Sequence, residues 1–91
     1  MALTKETIVD KIEVLEMGQV QVRTATRVME DGAVLSSSFH RHVVEPSTKA
    51  SGSWADTDIS GEDSRVQAVA NATWTNSVKT AYQAMMDANE L

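Results

Sequence analysis

The chain has 91 residues, eight Lys plus Arg against thirteen Asp plus Glu, a net charge of −5 and no cysteine. An acidic chain without a basic run is poorly suited to nucleic acid, whose phosphates are bound through Lys/Arg neutralisation and counterion release. The missing cysteines exclude disulfides and thiolate metal sites, and no stretch approaches the roughly 20 apolar residues of a membrane span or opens with a basic, then apolar leader. A soluble, unprocessed protein is expected, with residues 1–91 forming one small domain around a modest core.

Residues 1–7 read as a lead-in, frayed or docked on a partner. Residues 8–15 form a first strand, imperfect because Val9 and Leu15 fall on the face opposite Ile8, Ile12 and Val14. Glu16-Met17-Gly18 then makes a three-residue hairpin loop closed by glycine in the left-handed region. It sets Val14 opposite Val20, Ile12 opposite Val22 and Ile8 opposite Thr26. Residues 19–29 alternate cleanly: Val20, Val22, Thr24, Thr26 and Val28 share one face, while Gln21, Arg23, Arg27 and Met29 share the other. Asp31-Gly32 is a strong signal for a type I′ turn into a third strand, 33–44. With Asp31 and Gly32 as the two loop residues, Glu30 pairs with Ala33, Val28 meets Leu35, Thr24 meets Phe39 and Val20 meets Val43, and only Arg41, opposite Val22, breaks the apolar face.

After Pro46 the composition turns to Ser, Thr, Gly and Asp, and residues 46–61 read as a long loop, with Trp54 and Ile59 either tacking it to the sheet or buried by another chain. From Glu62 the period becomes helical. One helix is expected over 62–73, opened by a capping box of Ser60 and Asp63, with Val66, Val69, Ala70 and Thr73 or Trp74 inward. A second is expected over 76–88, capped by Thr75 or Asn76, with Val78, Ala81, Tyr82, Met85 and Met86 inward; one continuous helix is the competing reading. The fold class is therefore α+β: a three-stranded antiparallel meander roofed by one or two C-terminal helices.

The chemistry is sparse. His40 and His42 project from one strand face at a spacing that can chelate a metal, but the pairing above sets Arg23 and Gln21 opposite them and supplies no further ligand. A metal would need ligands from other copies across an oligomer axis. Arg23, Arg27, His40 and His42 instead suggest a small pH-sensitive cationic face able to meet an acidic neighbour. Ser36-Ser37-Ser38 near His40 has no group to orient a base and no oxyanion site, so it is not an activated nucleophile. Asp56, Asp58, Glu62 and Asp63 lack the spacing of a calcium loop, and the four glycines are isolated at turns. No enzyme activity and no cofactor are expected. The expected contact surfaces are the sheet edges, Arg23, Arg27, His40, His42 and the Trp54 loop.

The ordered segments DKIEVLEMGQVQVRTATRVMEDG, SSSFHRHVVEP and SGEDSRVQAVANATWTNSVKTAYQ resemble a group of small virion- and tail-associated proteins of tailed bacteriophages. The likeness covers roughly residues 9–83, and residues 48–59 look like an insertion relative to that group. The resemblance implies a phage structural protein, present in several copies and assembled with other virion chains, such as a tail-associated fibre or baseplate adaptor. It implies no catalytic residues. A capsid decoration protein, or a non-virion protein of the infected cytoplasm that binds a host factor, are the alternatives.

Overall fold

Two turns built on left-handed residues fold the first half of the chain into an antiparallel meander. In the computed structural model, which describes residues 2–89, strands β1 (Leu3–Val14), β2 (Val20–Glu30) and β3 (Ala33–Val44) form one sheet in the order β1-β2-β3. Gly18, at φ +90°, closes the first loop, where the Leu15 amide donates to the Gln19 carbonyl at 2.8 Å. Asp31 and Gly32, at φ 51° and 86°, supply the two positive values that a type I′ turn requires. β1 begins earlier than expected: Leu3 pairs with Glu30 and Thr4 with Met29, so most of the anticipated lead-in is strand. Met1 lies outside the described residues.

Both pairings agree with the sequence-based register near one end and depart from it farther along, because each contains a bulge. Between β1 and β2, Val14 meets Val20 and Ile12 meets Val22, but Asp10 is extra, and beyond it Val9 meets Thr24 and Ile8 meets Ala25. Between β2 and β3, Glu30 meets Ala33 and Met29 meets Val34, but Leu35 is extra. The expected pairs Val28 with Leu35, Thr24 with Phe39 and Val20 with Val43 are thereby replaced by Val28 with Ser36, Thr24 with His40 and Val20 with Val44. A slip of one residue moves every later side chain to the other face. Arg41 accordingly faces Arg23 rather than Val22, and His42 takes the place beside Val22.

The rows across the sheet explain where the helices sit. On one face, Val14, Val20 and Val44 form a row, followed by Ile12, Val22 and His42, then Val9, Thr24 and His40. Beyond these the row is Thr7, Thr26 and Ser38, which offers hydroxyls rather than a surface to bury. The helices α1 (Ser64–Thr73) and α2 (Asn76–Ala88) follow the amphipathic pattern, and the core forms where the rows are apolar. Val66, Ala70 and Trp74 pack with Val20, Val22 and Val44, and Val9, Ile12, Ile59, Val69 and Val78 complete the cluster. Asp63 alone caps α1, its carboxylate accepting from the Arg65 amide at 2.8 Å, so the Ser60 capping box does not form and Glu62 stays outside the helix. Thr75 caps α2, which confirms two helices. Of the inward residues expected on α2, Tyr82 is buried, Val78 and Met85 are partly buried, and Ala81 and Met86 are exposed.

The segment 46–61, expected as a loop, contains a second two-stranded sheet of β4 (Ser47–Ala50) and β5 (Ser53–Asp56), turned at Ser51 and Gly52 with φ 52° and 78°. This hairpin lies against α2 rather than on the meander. Trp54 meets Tyr82 edge-on at 6.0 Å, and its indole N–H donates to Asp87 at 3.3 Å. Lys49 pairs with Asp87 at 3.1 Å, Lys79 with Asp56 at 3.0 Å, and Gln83 donates to the buried Ser47 hydroxyl at 3.0 Å.

Packing is thus concentrated near the Gly18 turn, and the far half of the sheet extends away from it. The Cα radius of gyration is 17.0 Å and the longest extent 56 Å. A compact chain of this length has a radius of gyration of about 12 Å. We refer to the helix-covered half as the base and to the projecting half of the sheet as the arm.

Candidate functional site

The arm is where large apolar side chains of the sheet stay exposed. Along β3 every residue from Ala33 to Arg41 is exposed, including large apolar ones: Val34 at 52%, Leu35 at 57% and Phe39 at 51%. Val43, nearer the base, is 51% exposed, and Leu3 at the start of β1 is 60% exposed. Pairing places Phe39, Val43 and, beyond the bulge, Val34 on the sheet face away from the helices. On that face Ile8, Ala25 and Phe39 form one row, and Lys11, Arg23 and Arg41 form the next.

Three like charges in one row need an answer, and the β1 bulge provides it. The extra residue, Asp10, turns its carboxylate to Arg23, accepting from Nε at 3.0 Å and from a terminal nitrogen at 2.7 Å. This fork-to-carboxylate contact satisfies two donors at once. Hydrogen bonding from Arg23 holds the Asp10 carboxyl below its ordinary range, and the same contact raises Arg23. The guanidinium carbon also lies 4.5 Å from the centre of the Phe39 ring. Arg23 therefore ties all three strands together on one face. Arg27 lies 3.7 Å from Glu6 on the same face.

The histidines are on the other side. The Leu35 bulge turns His40 and His42 toward the helix face, so the combined Arg/His cationic face expected from the sequence does not form. His42 Nε2 lies 2.8 Å from a Glu62 oxygen, a contact that joins β3 to the approach to α1, and the His40 ring stacks on His42 with centres 6.3 Å apart. Among the described residues, no group of three or more His, Asp or Glu side chains is placed to hold a metal ion. Trp54, expected either to tack a long loop to the sheet or to be buried by another chain, is half-buried against α2.

Between the β4–β5 hairpin and α2 lies an open groove of about 490 Å³, lined by Glu45, Lys49, Trp54, Tyr82, Met86 and Asn89. Burial, and then the neighbouring Glu45 carboxylate, push the Tyr82 hydroxyl up to about 12. A hydroxyl held protonated in this way donates a hydrogen bond and is no general base at neutral pH. No described helix is long and apolar enough to cross a membrane.

Sequence reasoning missed the exposed apolar set Val34, Leu35 and Val43 and the His42–Glu62 contact. The signal for the first was present: two adjacent apolar residues, Val34-Leu35, cannot both obey a period of two. No family model matches the chain, and no curated protein or solved structure matches it.

Proposed function

We propose that this chain is a structural protein of a tailed bacteriophage, a small tail-associated subunit of the fibre or baseplate attachment type that acts by assembling with other protein chains. The observation that supports this reading is the arm. A three-stranded sheet projects beyond its own core and carries large apolar side chains at about half exposure, flanked by arginines. That composition, apolar and aromatic anchors beside Arg, is the kind protein interfaces favour. Isolated exposed apolar residues are ordinary, whereas several large ones along one projecting strand are costly to leave in water. The resemblance of residues 9–83 to phage virion and tail proteins supplies the setting.

Mass spectrometry of purified particles of the encoding phage should return peptides of this chain at several copies per particle. Their absence from particles, with the protein present in the infected cell, would overturn the reading.

A further inference from the structure

We propose that two copies of this chain join edge to edge along β3, antiparallel, across a two-fold axis at Phe39, so that two three-stranded sheets become one of six strands. The proposal rests on the assembly reading above and names its first partner, a second copy.

The two edges of the sheet differ. β1 is blunted: the bulge at Asp10 interrupts its pairing, Lys5 and Lys11 lie along it, and the Arg65 guanidinium donates to the Val9 carbonyl. Bulges, charges and covered carbonyls are how edge strands avoid pairing. β3 is less protected: its bulge sits toward the far end, at Leu35, Arg41 is its only Lys or Arg, and from Ser36 to Val44 it pairs with β2 without interruption and contains no proline. Its backbone is ready to accept another strand, as in β-strand addition.

Side-chain order then selects the occupant. In a two-fold antiparallel pair, residues equidistant from the axis face one another. An axis at Phe39 sets Leu35 against Val43 of the second copy, Ser37 against Arg41, and Phe39 against itself. Apolar meets apolar at the centre and at both ends, and no like charges are opposed. On the other face Ser36 meets His42 and Ser38 meets His40, hydroxyls beside imidazoles. The neighbouring axes fit worse. An axis at His40 sets Val43 against Ser37, one at Ser38 sets Arg41 against Leu35, and one at Arg41 sets Arg41 against its own copy, which cross-strand pairing disfavours. The three side chains this register covers are among the most exposed large apolar groups of the molecule. Nine residues per copy lie at the small end of stable interfaces, near roughly 1,000 Å² in total, so the dimer is expected to dissociate on dilution.

The absence of cysteine makes the register directly testable. Opposed side chains in an antiparallel pair bring their Cβ atoms close enough for a disulfide. Under mild oxidation of the full chain, Phe39→Cys should give a covalent homodimer. Ser37→Cys alone should not, whereas an equal mixture of Ser37→Cys and Arg41→Cys should give at least about tenfold more covalent dimer than Ser37→Cys alone. The mixture keeps the Phe39 ring in place, and both of its positions are exposed, so it tests the same register without disturbing the fold. Sedimentation of the unmodified chain should show a dimer that dissociates on dilution. A chain that stays monomeric at every concentration, or Ser37→Cys that crosslinks as readily as the mixture, overturns the proposal. If either result comes with the chain present in particles, the assembly reading survives; absence from particles removes that reading instead.

Discussion

The base and the arm are made of the same three strands, yet they are stabilised in different ways. In the base, Val20, Val22 and Val44 are sealed by Val66, Ala70 and Trp74, and the Trp74 indole donates to the Gly18 carbonyl at 2.7 Å in a buried contact. In the arm, no described residue of the core cluster lies beyond the Thr24 row, and order comes from strand pairing, the Asp31-Gly32 turn and the Arg23 clamp onto Asp10 and Phe39. The difference shows that pairing can extend a sheet farther than a small core can cover.

If the division is right, the largest loss should follow from disturbing the base at Gly18. Its φ of +90° is unfavourable for any other residue, and a Cβ there would lie 2.5 Å from Val78 Cγ1 and 3.1 Å from Pro46 Cγ. Gly18→Ala therefore combines backbone strain with overpacking against α2, for a destabilisation of about 3 kcal/mol, read as a lower denaturant midpoint at unchanged slope. A loss well under about 1 kcal/mol would mean that α2 can move off the turn, and that the base is looser than its contacts indicate.

How much of this was legible in the sequence follows from how each feature is encoded. The turns at Gly18 and Asp31-Gly32, the strands, both helices and the inward set Val66, Ala70, Trp74 and Tyr82 are written in local chemistry and period, and they could be read. The bulges could not be placed from alternation alone, because a bulge is an interruption of the rule used to read strands. Their trace was in the doublets Ile8-Val9 and Val34-Leu35, where one register cannot bury both members. Overlooking the second doublet put His40 and His42 on the wrong face, and the Arg/His surface failed with it. The β4–β5 hairpin was hidden for another reason: four-residue strands are too short to show a period, and only Ser51-Gly52 marked the turn. The His42–Glu62 contact joins residues brought together by the chain's return over the sheet, which no local pattern reports.

A second measurement probes the base through its only tyrosine. Tyr82 is 1% exposed, and its folded value near 12 lies above the ordinary 10. Because the folded value is raised, this contribution is intact below pH 10 and is lost as pH climbs through about 12. It amounts to roughly 2–3 kcal/mol. Tyrosinate absorbance should therefore titrate late, and it should fall back toward the ordinary value in denaturant, where Glu45 and the burial are lost together. A folded chain that titrates at the ordinary value would place Tyr82 in water and detach the β4–β5 hairpin from α2.

The smallest effect on the isolated chain should come from the arm, and its dependence on concentration carries the information. Leu35→Ser removes a side chain that is 57% exposed and makes no core contact, so in dilute solution stability should change by no more than about 0.5 kcal/mol. At concentrations where β3 edges pair, the parent chain gains stability by mass action and the variant loses part of that gain, so their unfolding midpoints should diverge as the protein is concentrated. A constant difference at all concentrations would place Leu35 in a contact within the chain. A dilute-solution loss as large as that of Gly18→Ala would make the arm part of the core, and the contrast between the two halves of the sheet would then be false.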